Sequence, residues 1–173
     1  TTEEGFSLVR KRGEAMQAAA EQADSAMAAV LKLPNEKVEE LCRMHQSVFP
    51  VNYNCPGQIV ISGLKEAVEI AAVKLKEAGA RRVIPLNVSG PFHSYLLEEA
   101  GEKLGRFLEN IPVSEPVIPY VANVTAAYVT KAEDVKPLLT RQVSSSVRWQ
   151  QSVEIMLADG VDRFIEIGPG KTL

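Results

Sequence analysis

The sequence is poor in the residues that hold metals and disulfide frameworks. Its 173 residues include only two histidines and two cysteines, each pair far apart. No zinc-type ligand spacing arises from such a set, so no metal site is expected. Two cysteines cannot staple a small secreted scaffold. Cys42 and Cys55 fit a reducing, cytoplasmic setting, although the count alone leaves one bridge open. There is no basic excess either: 19 Lys and Arg against 22 Asp and Glu leave a net charge of −3. A general polyanion binder carries the opposite balance, which argues against nucleic acid. No long hydrophobic run is present. The longest uncharged stretch, Val48 to Leu64, holds Asn52, Asn54, Pro56, Gly57 and Gln58 and cannot span a membrane as a helix. No signal peptide opens the chain. Glycine-rich phosphate loops of the GxGxxG or GxxxxGK[ST] type are missing, as is the G-x-S-x-G elbow of a serine nucleophile.

What is present reads as a globular chain. Hydrophobic residues make up 46% and charged residues 24%, which excludes disorder. Thr1 replaces an initiating Met, and Gly170-Lys171-Thr172-Leu173 follows a strand-like run directly. Both ends look cut, so the chain reads as part of a longer protein.

Residues 3 to 22 are rich in helix formers, and Phe6, Val9, Gly13, Met16 and Ala20 recur at helical spacing. After Asp24-Ser25 the run Ala26 to Leu33 is short and apolar. Pro34-Asn35 opens a helix over Glu36 to His45. Val48 to Tyr53 and Gln58 to Ser62 read as strands around the turn Asn54-Cys55-Pro56-Gly57. Leu64 to Ala78 is an amphipathic helix closed by Gly79, and Arg82 to Val88 is another strand. The order over 26–88 is β-α-β-β-α-β, the ferredoxin-like arrangement. Beyond it, Leu96 to Leu108, Ala132 to Leu139 and Gln150 to Leu157 read as helices. Val117 to Val124 reads as a strand, and Arg163 to Ile167 as a buried strand ended by Gly168-Pro169-Gly170. Such alternation predicts a parallel sheet. The expected fold is α/β: residues 24–88 form a small subdomain inserted into a larger one built from 1–23 and 89–173.

Few residues invite chemistry. His45 ends a helix beside Arg43 and reads as a surface residue. His93 lies in Ser89-Gly90-Pro91-Phe92-His93-Ser94, after a strand and before a helix, where α/β folds place ligands. It reads either as a general base or as a residue capping the next helix. Arg12 belongs to the cluster Arg10-Lys11-Arg12 and sits beside Gly13 inside a helix. A helical glycine costs about 1 kcal/mol against alanine and marks close approach of another group. Arg12 is then either a solvated arginine or a planar fork for a carboxylate. Asn52, Asn54, Gln58 and Asn123 are polar residues in apolar, strand-like surroundings, each with a turn or a cleft as its reason. Gly168-Pro169-Gly170-Lys171 is too short for a phosphate loop and reads as a turn.

Several stretches together resemble one family. They are Leu8-Val9-Arg10-Lys11-Arg12-Gly13-Glu14-Ala15-Met16-Gln17, Ala26-Met27-Ala28-Ala29-Val30, Asn52-Tyr53-Asn54-Cys55-Pro56-Gly57-Gln58-Ile59-Val60-Ile61-Ser62-Gly63, Val88-Ser89-Gly90-Pro91-Phe92-His93-Ser94, Val121-Ala122-Asn123-Val124, Arg141-Gln142 with Val147-Arg148-Trp149, and Glu166-Ile167-Gly168-Pro169-Gly170-Lys171. In that order they resemble the malonyl-CoA:acyl carrier protein transacylases of bacterial fatty acid synthesis.

The resemblance implies an α/β-hydrolase-like large subdomain, here incomplete, with a ferredoxin-like insert. It implies His93 as the catalytic histidine, oriented by the main-chain carbonyl of Gln142. It also implies substrate binding by Arg12, which pairs with the malonyl carboxylate, and by Met16, Phe92 and Asn123 around the acyl group. The implied reaction moves malonyl from malonyl-CoA to the phosphopantetheine thiol of acyl carrier protein through a serine ester, in the cytoplasm and without a separate cofactor. The family's serine elbow and oxyanion segment are not in this sequence, so these residues alone are expected to be inactive. Tyr95-Leu96-Leu97 and Val143-Ser144-Ser145-Ser146 depart from the family's Pro-Leu-Met and Leu-Tyr-Ser-Pro. Two other classes are an acyltransferase domain of a polyketide-type synthase and a non-catalytic ferredoxin-like binding module. Phe92 before His93 favours a malonyl-specific pocket over the first.

Overall fold

The computed structural model describes residues 1–168. Helix α1 (Thr2–Ala20) starts with a capping box: the Thr1 hydroxyl accepts from the Glu4 N–H while the Glu4 carboxylate turns back to the chain start. There follow β1 (Ser25–Leu31), α2 (Asn35–Met44), β2 (Val48–Cys55), β3 (Gln58–Leu64), α3 (Lys65–Glu77) and β4 (Arg82–Leu86). A single 3-10 turn (Tyr95–Leu97) leads into α4 (Glu98–Glu109). The chain continues through β5 (Tyr120–Ala122), β6 (Ala127–Val129), α5 (Ala132–Gln142) and α6 (Trp149–Ala158). The architecture is α/β.

The strands β1 to β4 form one sheet in the order β2-β3-β1-β4, every neighbour antiparallel. This is the topology that the β-α-β-β-α-β reading predicts. Alternation along the strands divides the sheet into two apolar faces. Ala28, Val30, Ile59 and Ile61 point to one face and meet Val38 and Leu41 of α2 and Val68, Ala71 and Leu75 of α3. Met27, Ala29 and Val60 point to the other, together with Val51, and there receive Phe49, Leu86 and Phe92. A third cluster joins α1 to α4: Met16 and Ala19 pack on Leu97, Ala100, Leu104 and Leu108, with Val143 beneath them.

Five expectations fail. Among the described residues no parallel sheet forms; outside β1–β4 there are the antiparallel hairpin β5-β6 and a single parallel bridge from Val147 to Asn52 of β2. The strand expected over 117–124 shrinks to three residues. Pro116 and Pro119 supply no N–H to a ladder, and Val117 stays 98% exposed. The buried strand expected over 163–167 is neither buried nor a strand: Ile165 is 75% and Ile167 93% exposed, and no described strand lies beside them to pair. The apolar face of α1 is buried only near its end; Phe6 and Val9 lie open. Nothing approaches Gly13, where an added Cβ would meet open space, so that glycine is not a contact site. The turn expected at 168–171 falls mostly outside the described residues. Cys42 is buried and Cys55 exposed, both as free thiols, which settles the bridge that composition left open.

Candidate active site

The loop between β4 and α4 carries His93. It is fixed at both ends by close packing. Gly90 is buried against the end of α1, and a Cβ there would run into the Ala20 side chain, so only glycine allows this approach. The Ser94 hydroxyl is buried and donates to the Pro91 carbonyl at 2.7 Å. Phe92 enters both the α1–α4 cluster and the second sheet face, wedging the loop between them. Between these anchors His93 takes the left-handed conformation, φ 61°, which few non-glycine residues adopt. Such strain persists only where surrounding contacts impose it, and it collects at functional positions.

The His93 ring is half-buried, and its Nδ1 lies 3.1 Å from the Gln142 carbonyl oxygen. A carbonyl only accepts, so this bond places the proton on Nδ1 and leaves Nε2 with a free lone pair. Burial pushes the imidazole below its ordinary value. Backbone hydrogen bonds from Gln142 and Ser145 oppose this, and the positive charge of Arg12 adds to it. The result is a ring held neutral near pH 7 with its accepting nitrogen available, the state a general base requires.

Arg12 lies one helical turn before Met16 on α1. Its neighbours in the basic cluster are spoken for: Arg10 and Lys11 both pair with Glu14, at 3.0 and 2.9 Å. Arg12 has no ion pair among the described residues and is half-buried, and burial lowers its pKa. A guanidinium stays charged in proteins, so a partly desolvated one without a counter-ion is set to receive an anion.

A cleft of about 400 Å³ runs past His93, lined also by Phe49, Tyr95, Val124, Arg141, Ser144 to Ser146 and Arg148. Phe49 and Tyr95 meet edge to face with centroids 4.9 Å apart. Beyond them a larger cleft of about 690 Å³ reaches Glu39, Arg43, His45 and Tyr53. Among the expected site residues, His93 meets the Gln142 carbonyl, Met16 and Phe92 share the α1–α4 cluster, and the charge of Arg12 reaches His93; of the five only His93 lines the cleft. Asn123 stands just outside: its carbonyl accepts from the Arg148 N–H at 2.9 Å, while Val124 is the neighbour that lines the cleft. His45 follows the last residue of α2, as its position predicts. The residue pattern alone does not reveal Ser145, whose contribution to His93 is a backbone group. The hydroxyl residues 144–146 are visible in the sequence only as a departure. No cluster of three metal-ligating side chains occurs among the described residues, and none of their helices is long and apolar enough to cross a membrane.

The chain is similar over most of its length to several known proteins. The malonyl CoA-acyl carrier protein transacylase of Bacillus subtilis (strain 168) is 44% identical over 169 residues, covering 95% of this chain and 53% of that protein. An acyl carrier protein S-malonyltransferase from Vibrio cholerae superposes with a TM-score of 0.93 at 42% identity, over 96% of this chain and 56% of that one. A malonyl-transacylase solved in complex with a type II polyketide acyl-carrier protein superposes with a TM-score of 0.92 at 42% identity, over 96% and 55%. The chain thus spans about half the length of the curated relatives it matches. The family description of the acyl transferase domain matches residues 1–173 throughout, and the chain belongs to that family.

Proposed function

We propose that these residues carry the histidine and the carboxylate-binding arginine of a malonyl-CoA:acyl carrier protein transacylase. The observation that carries this reading is the bond that puts the proton on Nδ1 of His93, within reach of the charge of Arg12, a half-buried guanidinium with no ion pair among the described residues. Residues 24–88 would form a ferredoxin-like insert, and 1–23 with 89–173 a portion of an α/β-hydrolase-like subdomain. The β2-β3-β1-β4 topology supports the first assignment, and the contact of α1 with α4 and the His93 loop supports the second.

The nucleophile is a serine contributed by sequence outside these 173 residues. His93 Nε2 takes its proton as the serine oxygen attacks the malonyl thioester. The Gln142 carbonyl then holds the Nδ1–H of the imidazolium, the role a carboxylate fills in the Ser-His-Asp arrangement. The tetrahedral intermediate collapses, the C–S bond breaks, and the coenzyme A thiol leaves with the proton from His93. A malonyl-serine ester remains. The phosphopantetheine thiol of acyl carrier protein repeats the sequence in reverse. Arg12 holds the malonyl carboxylate throughout, and Met16 and Phe92 wall the acyl group, with Asn123 at the edge of the site. No separate cofactor takes part, and the compartment is the cytoplasm.

The test uses an enzyme that contains these residues together with the serine-bearing segment. Arg12→Ala should lower the malonyl-to-acetyl ratio of kcat/KM by at least tenfold, because a buried substrate carboxylate then lacks its partner. Acetyl transfer, with no carboxylate to bind, should fall little or rise. Arg12→Lys should lose less, keeping the charge but not the fork. An unchanged ratio in Arg12→Ala would return the carboxylate to another residue.

A further inference from the structure

The acceptor of His93, the Gln142 carbonyl, opens the turn after α5, and this turn is tied to the sheet at one place. β2 is an outer strand of the sheet, and its register shifts between Pro50 and Asn52. In a regular strand successive carbonyls point to opposite sides. The bulge lets two consecutive ones, Pro50 and Val51, face outward together. Val51 accepts from the Val147 N–H at 2.7 Å, and Tyr53 returns a bond to the Val147 carbonyl at 2.9 Å, making a short parallel bridge between Asn52 and Val147. The Pro50 carbonyl would otherwise lack a partner from that segment. The Ser146 hydroxyl donates to it at 2.8 Å.

We infer that Ser146 is a positioning residue for His93: its hydroxyl, bonded to the Pro50 carbonyl, fixes the Gln142–Val147 turn so that the turn's backbone selects the Nδ1–H form of the histidine. Three observations converge on this. The turn is only four residues long between Gln142, whose carbonyl meets the ring, and the Val147 bridge. Ser145, immediately before Ser146, belongs to the same turn and lines the cleft beside His93. The Gln142 side chain closes the turn on itself by donating to the Ser145 carbonyl at 3.3 Å. Releasing Ser146 therefore loosens the piece of backbone that carries the Gln142 acceptor, whereas the Val147 bridge alone holds only the far end. The inference rests on the reading of His93 as the base, but its test needs no turnover.

The test is nitrogen-15 NMR of histidine-labelled chain, in which Nδ1 and Nε2 shifts distinguish the tautomers directly. In the wild type the Nδ1–H form of His93 should dominate. In Ser146→Ala it should fall at least threefold in population. The Tyr53 and Val147 amides should exchange at least tenfold faster. Ser146→Thr keeps the hydroxyl and should restore both readouts. A wild-type tautomer in Ser146→Ala overturns the inference, as does failure of Ser146→Thr to restore it. Unfolding of Ser146→Ala would also overturn it, by making the hydroxyl a general structural element. An unchanged malonyl-to-acetyl ratio in Arg12→Ala, with the tautomer result intact, would fail the proposed substrate reading and leave this coupling standing.

Discussion

Two regions of the molecule bury their apolar residues by different means. In the region from β1 to β4, the helices and the sheet arise within about sixty consecutive residues and cover each other. Val30, Val38, Ile59, Ile61, Ala71 and Leu75 are all shut away from solvent. In the region after α4, buried positions are scattered: a small cluster of Ala122, Val124 and Val129 lies under α5, while Val117, Ile118, Ile165 and Ile167 face outward. The first region closes a core from local sequence. The second has apolar residues without described neighbours to receive them. The site sits where the regions meet, with His93 on the loop leaving the first and its acceptor on the turn that joins the second back to β2.

The largest effect should come from testing this contrast directly. Ile61→Ala removes a fully buried side chain between two helices and should cost about 2–5 kcal/mol in denaturant unfolding. Ile165→Ala in the same chain should change stability by less than about 0.5 kcal/mol, since that side chain is already exposed. Equal losses at the two positions would break the comparison.

The boundary between the regions gives a smaller, pH-dependent effect. Burial holds His93 below its ordinary value of 6.5. Just below pH 6.5 the unfolded chain binds a proton that the folded chain refuses, so stability falls as pH falls through that window and is unaffected above it. Removing the imidazole with His93→Gln should flatten this slope. The urea midpoint of the wild type should fall more between about pH 7.5 and about pH 6 than that of His93→Gln, a difference worth below about 1 kcal/mol. Carboxylate titration is common to both proteins and cancels. A slope unchanged by the substitution would mean that the ring titrates normally.

The smallest effect concerns Ser62. It is fully buried on the second sheet face, opposite Met27 and Phe49 on the flanking strands, and its hydroxyl has no hydrogen-bond partner among the described residues. Burying such a group without a partner costs free energy. Ser62→Ala should therefore leave the thermal midpoint unchanged or raise it by a degree or two. A fall of several degrees would reveal a partner for this hydroxyl and make that face less purely apolar than it is described here.

The same contrast governs how much could be read from sequence. From β1 to β4 each element carries its own signal: period-two strands, period-3.6 helices and a Pro-Gly turn. Element order alone then leads to the sheet. After α4 the signal for a strand at Phe164-Ile165-Glu166-Ile167 is as good locally, but a strand exists only with a neighbour, which no local pattern supplies. Pro119 beside Tyr120 was visible and outweighs the β-branched residues around it. At the site, side-chain identity brought out His93 and Arg12. Their decisive properties did not show in the pattern. The Gln142 acceptor is a backbone atom that any residue could offer, and it emerges only through family resemblance. That Arg12 has no ion pair among the described residues while Arg10 and Lys11 share Glu14 depends on which face of α1 turns inward.

The bridge between Asn52 and Val147 also bears on solubility. A four-stranded sheet has two outer strands whose free N–H and C=O groups can recruit a strand from another molecule and start aggregation. At β2 the intramolecular segment 146–147 already occupies part of that ladder. At β4 the protection is chemical: Pro85 has no N–H to offer and Arg82 brings a charge to the rim. The sheet that displays the histidine loop is thereby shielded on both sides from edge-to-edge growth, and on the β2 side the shield is the same piece of chain that sets the proton on His93.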